Sequence, residues 1–260
     1  MTQEIPQAAE RAEPAPLRGK TVLVTGAARR VGAVIARTLH AAGANLVLHY
    51  RSSADDATAV ARELNALRPG SATLAECDLL ETARLPTLIE SAVKEFGGLD
   101  VLINNASTFY PTPLGDITEM DWDDLIGTNL KAPLFLAQAA AAPLHETQGL
   151  ILNLADIHGV KPLRRYPVYS VAKAALIMLT RSLARELGPH VRVNAVAPGP
   201  VLWPEDGVDR ALQEKITQRT ALKRAGSAED VARACLFFAT AAPYVTGQVL
   251  AVDGGRSIGW

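Results

Sequence analysis

From Lys20 onward, short apolar runs rich in β-branched residues alternate with longer segments of helical period. The runs are KTVLVTG, NLVLHY, SATLAECD, DVLINNA, LILNLA, VRVNAVAP and QVLAVDGG. Helical patterns stand between them: residues 29–42, 55–67, a stretch ending at Phe96, a long one from Asp121 to about Leu144, one carrying Tyr169, and one from Ala228 to Ala239. A strand that is apolar at nearly every position is buried on both faces, and a parallel neighbour requires a crossover of a dozen or more residues. Seven such runs with helices between them predict a single-domain α/β fold of Rossmann type, a doubly wound seven-stranded parallel sheet with helices on both faces. Ligands bind such sheets beyond the carboxyl ends of the strands, so the residues that follow each run carry the chemistry.

The 260 residues are 48% hydrophobic and 20% charged, with a formal net charge of -1. That balance gives no electrostatic footprint for nucleic acid, and no apolar run approaches the ~18 residues of a membrane span. Small molecules and other protein chains are the expected partners. Residues 1–18 are rich in Ala, Pro and Glu and lack an apolar segment. They read as a disordered tail rather than a secretory signal, and their acidic residues argue against a mitochondrial presequence, so a cytoplasmic location is expected. The folded domain is then expected over 19–260. Cys77 and Cys235 lie in apolar contexts without metal-ligand spacing and read as buried reduced thiols; no metal site is expected.

The first strand-to-helix turn is Thr25-Gly26-Ala27-Ala28-Arg29-Arg30-Val31-Gly32. Gly26 permits the tight turn, Gly32 permits close packing, and the helix start at Val31 offers unpaired N–H groups to a pyrophosphate. Arg30 stands where a middle glycine is usual. Its guanidinium should project over the crevice, toward pyrophosphate, substrate carbonyl or both; an incidental surface arginine is the other reading. The second run ends in Tyr50-Arg51-Ser52-Ser53, without the acidic residue that would accept from a ribose 2′-hydroxyl. Arg51, Ser52 and Ser53 offer charge and hydroxyls to a 2′-phosphate, which predicts NADPH as cofactor. Ser53 also fits a helix N-cap. Asp78 and Leu79 would lie beside adenine, and the small residues around Asn105, Ala106 and Ser107 allow a flat cofactor to approach.

Tyr169 and Lys173 are four residues apart on a helical pattern, with Asp156 thirteen positions before Tyr169. Positions i and i+4 share a face, and a nearby cation favours phenolate, so the set reads as a proton-donating site. The same spacing fits an ordinary amphipathic helix. Asn129, polar among apolar neighbours, reads by itself as a satisfied interior amide. The segment near 200–220 follows a strand's carboxyl end and is expected to form a substrate lid; a surface excursion is the alternative.

The TGxxx loop, NNA after the fourth run, a mid-helix Asn, YxxxK, and Pro198-Gly199 after the sixth run together resemble the short-chain dehydrogenase/reductase family, over nearly all of Lys20 to Gly255. The resemblance implies hydride transfer from a nicotinamide at the carboxyl edge of the sheet. It implies that Tyr169 donates a proton, Lys173 binds ribose and lowers the tyrosine pKa, Asn129 holds a proton-relay water, and Pro198 and Gly199 contact the cofactor. That family's usual serine is absent, and Asp156 occupies its place. A carboxyl group can supply a proton to, or share one with, a ring nitrogen.

Arg30, Asp156 and the run from Asn104 to Leu114 further resemble pteridine reductases within that family. By that resemblance Phe109 stacks on one face of a pterin and the nicotinamide covers the other, with Arg30 and Ser107 touching both. The implied reaction takes 7,8-dihydropterins to tetrahydropterins with NADPH, with oxidised pterins and dihydrofolate as further substrates. Reduction of a small ketone or 3-oxoacyl thioester is the second reading, and a non-catalytic NADP(H) sensor is a reading of another class. The family implies a homotetramer built from the Asn129 and Tyr169 helices and the last strand, with the tail to Trp260 meeting a neighbour.

Overall fold

A computed structural model describes residues 15–201, 203 and 209–259. Its strands are β1 (Thr21–Val24), β2 (Asn45–Tyr50), β3 (Ala72–Glu76), β4 (Val101–Asn104), β5 (Leu150–Leu154), β6 (Arg192–Pro198) and β7 (Val249–Val252), one inside each expected run. They form one sheet in the order β3-β2-β1-β4-β5-β6-β7, with every pairing parallel. The helices are α1 (Arg30–Ala41), α2 (Ala54–Leu67), α3 (Leu85–Phe96), α4 (Glu119–Ile126), α5 (Ala132–Thr147), α6 (Pro167–Leu187), α7 (Arg210–Gln218) and α8 (Ala228–Thr240).

Alternation along the central strands builds the core on two sides. Val22, Val24, Leu46, Leu48, Ile103 and Leu152 pack with α1, α2 and α8. Their sequence neighbours Leu23, Val47, Leu102 and Ile151 pack with α3 and α5 on the other side. The central strands are therefore apolar at nearly every position, as the runs require, whereas the edge strands β3 and β7 are only partly buried. None of the described helices is long and apolar enough to cross a membrane.

Three expectations about segments need correction or lie outside the described residues. Leu17 is buried at 3% exposure and its N–H donates to the Ala42 carbonyl at 2.8 Å, so the packed chain includes residues assigned to the tail 1–18; residues 1–14 are not described. The helix expected from Asp121 to Leu144 runs unbroken from Glu119 to Thr147 but carries a π-helical turn, Gly127–Lys131, that was not expected. Its apolar spacing continues through the turn, which is why the sequence shows no break. Of the expected lid, α7 is described and has no buried residue, while positions 202 and 204–208 lie outside the described residues, as does Trp260.

Candidate active site

The carboxyl ends of β1, β2, β3 and β4 surround a cleft of about 410 Å3. Gly26, Arg30, Val31, Tyr50, Arg51, Ser52, Ser53, Asp78, Leu79, Asn105, Ala106 and Ser107, all expected at the cofactor, line it. The glycines are there for space. A side chain on Gly26, whose φ is +63°, would begin 3.1 Å from the Ala106 Cα, and one on Gly32 would begin 2.1 Å from the Gly26 carbonyl oxygen. Asn105 holds this turn from below: its Nδ2 donates to the carbonyls of Thr25 and Gly26, and Thr25 Oγ1 accepts from the N–H groups of Asn105 and Ala106. The cradle thus fits a dinucleotide phosphate, with the α1 amino end facing it.

Arg30 has φ +54°, in the left-handed region that a glycine would enter freely and that carries a steric cost for any residue with a Cβ. It is exposed, and its Nη2 donates to the Trp203 carbonyl at 3.1 Å, so it reaches across the crevice to the segment that follows β6. Ser53 occupies the N-cap position of α2, yet its hydroxyl makes no capping bond. Arg51 and Ser52 beside it are exposed. Arg29, which sequence reasoning left out of the site, also lines the cleft and lies 3.6 Å from Asp56 of α2. Its only signal in the sequence is adjacency to Arg30.

The proton-handling residues meet at the end of β5. Tyr169 is 4% exposed and its phenol donates to Asp156 Oδ2 at 2.9 Å, while Asp156 Oδ1 accepts the His158 N–H at 2.7 Å. Lys173, 2% exposed, donates to the Leu154 carbonyl at 2.8 Å and lies 5.6 Å from the centre of the Tyr169 ring. Burial and then the Asp156 carboxylate push the Tyr169 phenol well above its ordinary value. The phenol is thus raised, against the expectation that Lys173 lowers it. The ammonium stands over the ring and on a backbone carbonyl, and the carboxylate is the charge that touches the hydroxyl. Burial in turn lowers the Lys173 ammonium to about 8.

Asn129 lies inside the π-helical turn, fully buried, where such turns often reshape a helix at a working site. Its Nδ2 donates to the carbonyls of Leu125 and Thr108, and its Oδ1 accepts from Ser107 Oγ at 2.6 Å. The amide thus grips Ser107 and the loop after β4, the satisfied interior amide of the residue-level reading. Phe109, on the same loop, stacks flat on Tyr166 at 4.6 Å, meets Tyr169 edge-on at 4.8 Å, and keeps 42% of its surface exposed. Tyr166 is a second aromatic residue of the site that the sequence did not single out, hidden in the loop before α6. Pro198 and Gly199 do not line the cleft, nor do Tyr169 and Lys173, the other residues expected at the cofactor. Gly199 packs against β7, where a side chain would begin 2.6 Å from the Asp253 Cβ. Among the described residues no group of three or more His, Cys, Asp or Glu side chains is placed to hold a metal ion.

A parallel sheet with its phosphate turn after β1 and a Tyr–Lys pair on α6 is the frame of the short-chain dehydrogenase/reductase family, and the chain belongs to it: the family model described as Enoyl-(Acyl carrier protein) reductase matches residues 26–257. It is an NAD(P)-dependent oxidoreductase of that family. Among curated relatives, it is 38% identical to Pteridine reductase 1 of Leishmania tarentolae, covering 91% of this chain and 96% of that protein. It is 36% identical to the 3-oxoacyl-(acyl-carrier-protein) reductase FabG of Staphylococcus aureus, covering 91% and 97%. A third relative, 3beta-hydroxysteroid dehydrogenase 1 of Eggerthella lenta, is 32% identical over 93% of this chain and 95% of its own length.

Proposed function

We propose that the protein is a cytoplasmic, NADPH-dependent pteridine reductase that takes 7,8-dihydropterins to tetrahydropterins and accepts oxidised pterins and dihydrofolate as further substrates. The observation that carries this reading is the Tyr169–Asp156 hydrogen bond of 2.9 Å, a phenol and a carboxyl paired where a ketone would need only hydroxyls. Phe109 supports it as a partly exposed aromatic ring beside that pair. The likeness to Pteridine reductase 1 supports it from outside the site.

The residues of the cradle fit a nicotinamide dinucleotide, which when bound supplies the hydride. Gly26, Gly32 and Ala106 give room for its phosphates. Arg51, with Arg29 and the uncapped hydroxyl of Ser53, offers the positive, hydroxyl-bearing pocket that a 2′-phosphate needs. Lys173 has ammonium protons beyond the one given to Leu154 for a ribose hydroxyl. Phe109 gives a flat substrate a stacking wall, and Arg30 holds its polar edge. Tyr169 stays protonated through the neutral range, because burial and the Asp156 charge both disfavour phenolate, so it acts as an acid. The proton that Tyr169 gives to a ring nitrogen is replaced from water, taken up by the Asp156 carboxylate that faces the phenol and passed to the phenolate.

The test follows NADPH consumption with 7,8-dihydrobiopterin and with acetoacetyl thioester in parallel, repeating the active pair with NADH. Turnover of the pterin with NADPH preferred is expected; turnover of the thioester alone would overturn the reading. That outcome would favour 3-oxoacyl reduction, the reading to which the FabG likeness points. Tyr169→Phe is expected to lower pterin turnover by about 10²–10⁴-fold, the usual worth of a positioned acid, while nucleotide affinity stays within about threefold. The proposed assembly is a homotetramer.

A further inference from the structure

His49 is used by none of the steps above, yet it is buried at 2% exposure against the phosphate turn. Its Nδ1 lies 3.1 Å from the Gly26 nitrogen, and its Nε2 lies 2.9 Å from the Cys77 carbonyl oxygen at the end of β3. A backbone N–H can only donate and a carbonyl can only accept, so the two contacts together require one tautomer, bare at Nδ1 and protonated at Nε2. The same residue's carbonyl accepts the Ala27 N–H at 2.9 Å. Two consecutive amides of the turn are therefore fixed by His49, one of them at the glycine whose φ is +63°.

We infer that His49 is a positioning residue for the dinucleotide, a neutral imidazole that fixes the Gly26 peptide and so keeps the phosphate turn in its binding shape only while the ring is uncharged. A protonated ring would turn an N–H toward the Gly26 N–H, leaving two donors face to face in a buried place. The titratable and charged neighbours are Cys77 and Asp78 after β3, Tyr50 and Arg51 on its own strand's end, and Arg29 and Arg30 from the turn into α1; β1 and the Asn105–Ala106 segment contribute none. Burial lowers the ring below the ordinary imidazole value of 6.5, against smaller raising effects of the Cys77 carbonyl and the Asp78 carboxylate. The neutral form is thus the one the fold selects. As pH falls below the unfolded-chain value of about 6.5 and through the lower folded one, the native state loses the stability this ring gives it.

The inference rests on the assignment of the cleft to a nicotinamide dinucleotide. Its test uses the intact protein and NADH, which lacks the 2′-phosphate whose own second ionisation, near pH ~6, would mask the ring. Nucleotide affinity is read by fluorescence titration, and the state of the ring by nitrogen–proton correlation spectra of the cofactor-free wild type. The spectra should show the Nε2–H tautomer, and any protonation midpoint should coincide with an acid loss of NADH affinity. His49→Asn places an untitratable acceptor near the Nδ1 position and should keep affinity within about threefold with no such acid limb. His49→Gln reaches toward Cys77 but leaves Gly26 unpaired, and should bind about tenfold more weakly at every pH, the effect of one unpaired buried donor. Equal affinities in the two variants, an Nδ1–H tautomer, or a ring that titrates without change in affinity would overturn the role of His49 alone. Failure of the wild type to bind NADH or NADPH at any pH would overturn the cofactor assignment beneath it.

Discussion

Lys173 shows how a residue read from spacing acquires its chemistry from place. Its partner Tyr169 was legible in the sequence, as was Asp156, because an i, i+4 pair and a residue at a strand's end have predictable neighbours. Which of them touches which was not legible. The contact of Asp156, rather than Lys173, with the phenol depends on where β5 ends and how the turn at Ile157–Gly159 aims the carboxyl. His49 was silent for a related reason, since a histidine in an apolar strand looks like any core residue until the strand order sets it between the first turn and β3. Burial of Lys173 has a measurable cost. With the ammonium lowered to about 8 from an ordinary 10.5, the unfolded chain holds a proton in that window that the native chain does not. Stability from this group therefore rises with pH across the window, by up to about 3 kcal/mol, and its cost is complete below it. Denaturation of the cofactor-free protein between about pH 8 and 10 should show wild type gaining on Lys173→Met by an amount of that order; parallel curves would refute the lowered ammonium.

The elements divide by how local their causes are. The strands were legible because each apolar run is its own signal, and so was α8, whose Ser227 and Asp230 form a capping box. The π-helical turn was not, because one additional residue in a helix leaves the composition and the apolar spacing almost unchanged. Two substitutions separate shape from stability at this scale. Gly32→Ala would begin a side chain 2.1 Å from the Gly26 carbonyl oxygen, inside the first turn of α1. It is expected to abolish nucleotide binding and to cost more than about 2 kcal/mol, the range of overpacked sites. Ser227→Ala removes the cap of α8, the helix packed beside α1, and should cost about 1 kcal/mol while nucleotide affinity is unchanged. Thermal unfolding and nucleotide titration on both variants check the contrast; weakened binding in the Ser227 variant would mean that the start of α8 is coupled to the phosphate turn.

At the scale of the whole molecule, seven apolar runs sufficed for the class of sheet but not for its order, since β1 pairs with β4 across a span that no local signal marks. The outer surface bears on assembly. Leu134 on α5, Val171 and Met178 on α6, and Leu250 on the edge strand β7 are exposed apolar side chains on two separate faces, the two a tetramer of this proposal would cover. Sedimentation at the tetramer mass is expected, and Met178→Glu should reduce it to dimers; a wild-type monomer would remove the proposal. The strand order also sets a timetable for synthesis. The residues that line the nucleotide cleft, from Gly26 to Thr128, leave the ribosome before β5, whereas Asp156, Tyr169, Lys173 and Trp203 follow. A nascent chain at that stage has a place for the coenzyme, no acid to work with it, and a bare β4 edge open to any strand that meets it first.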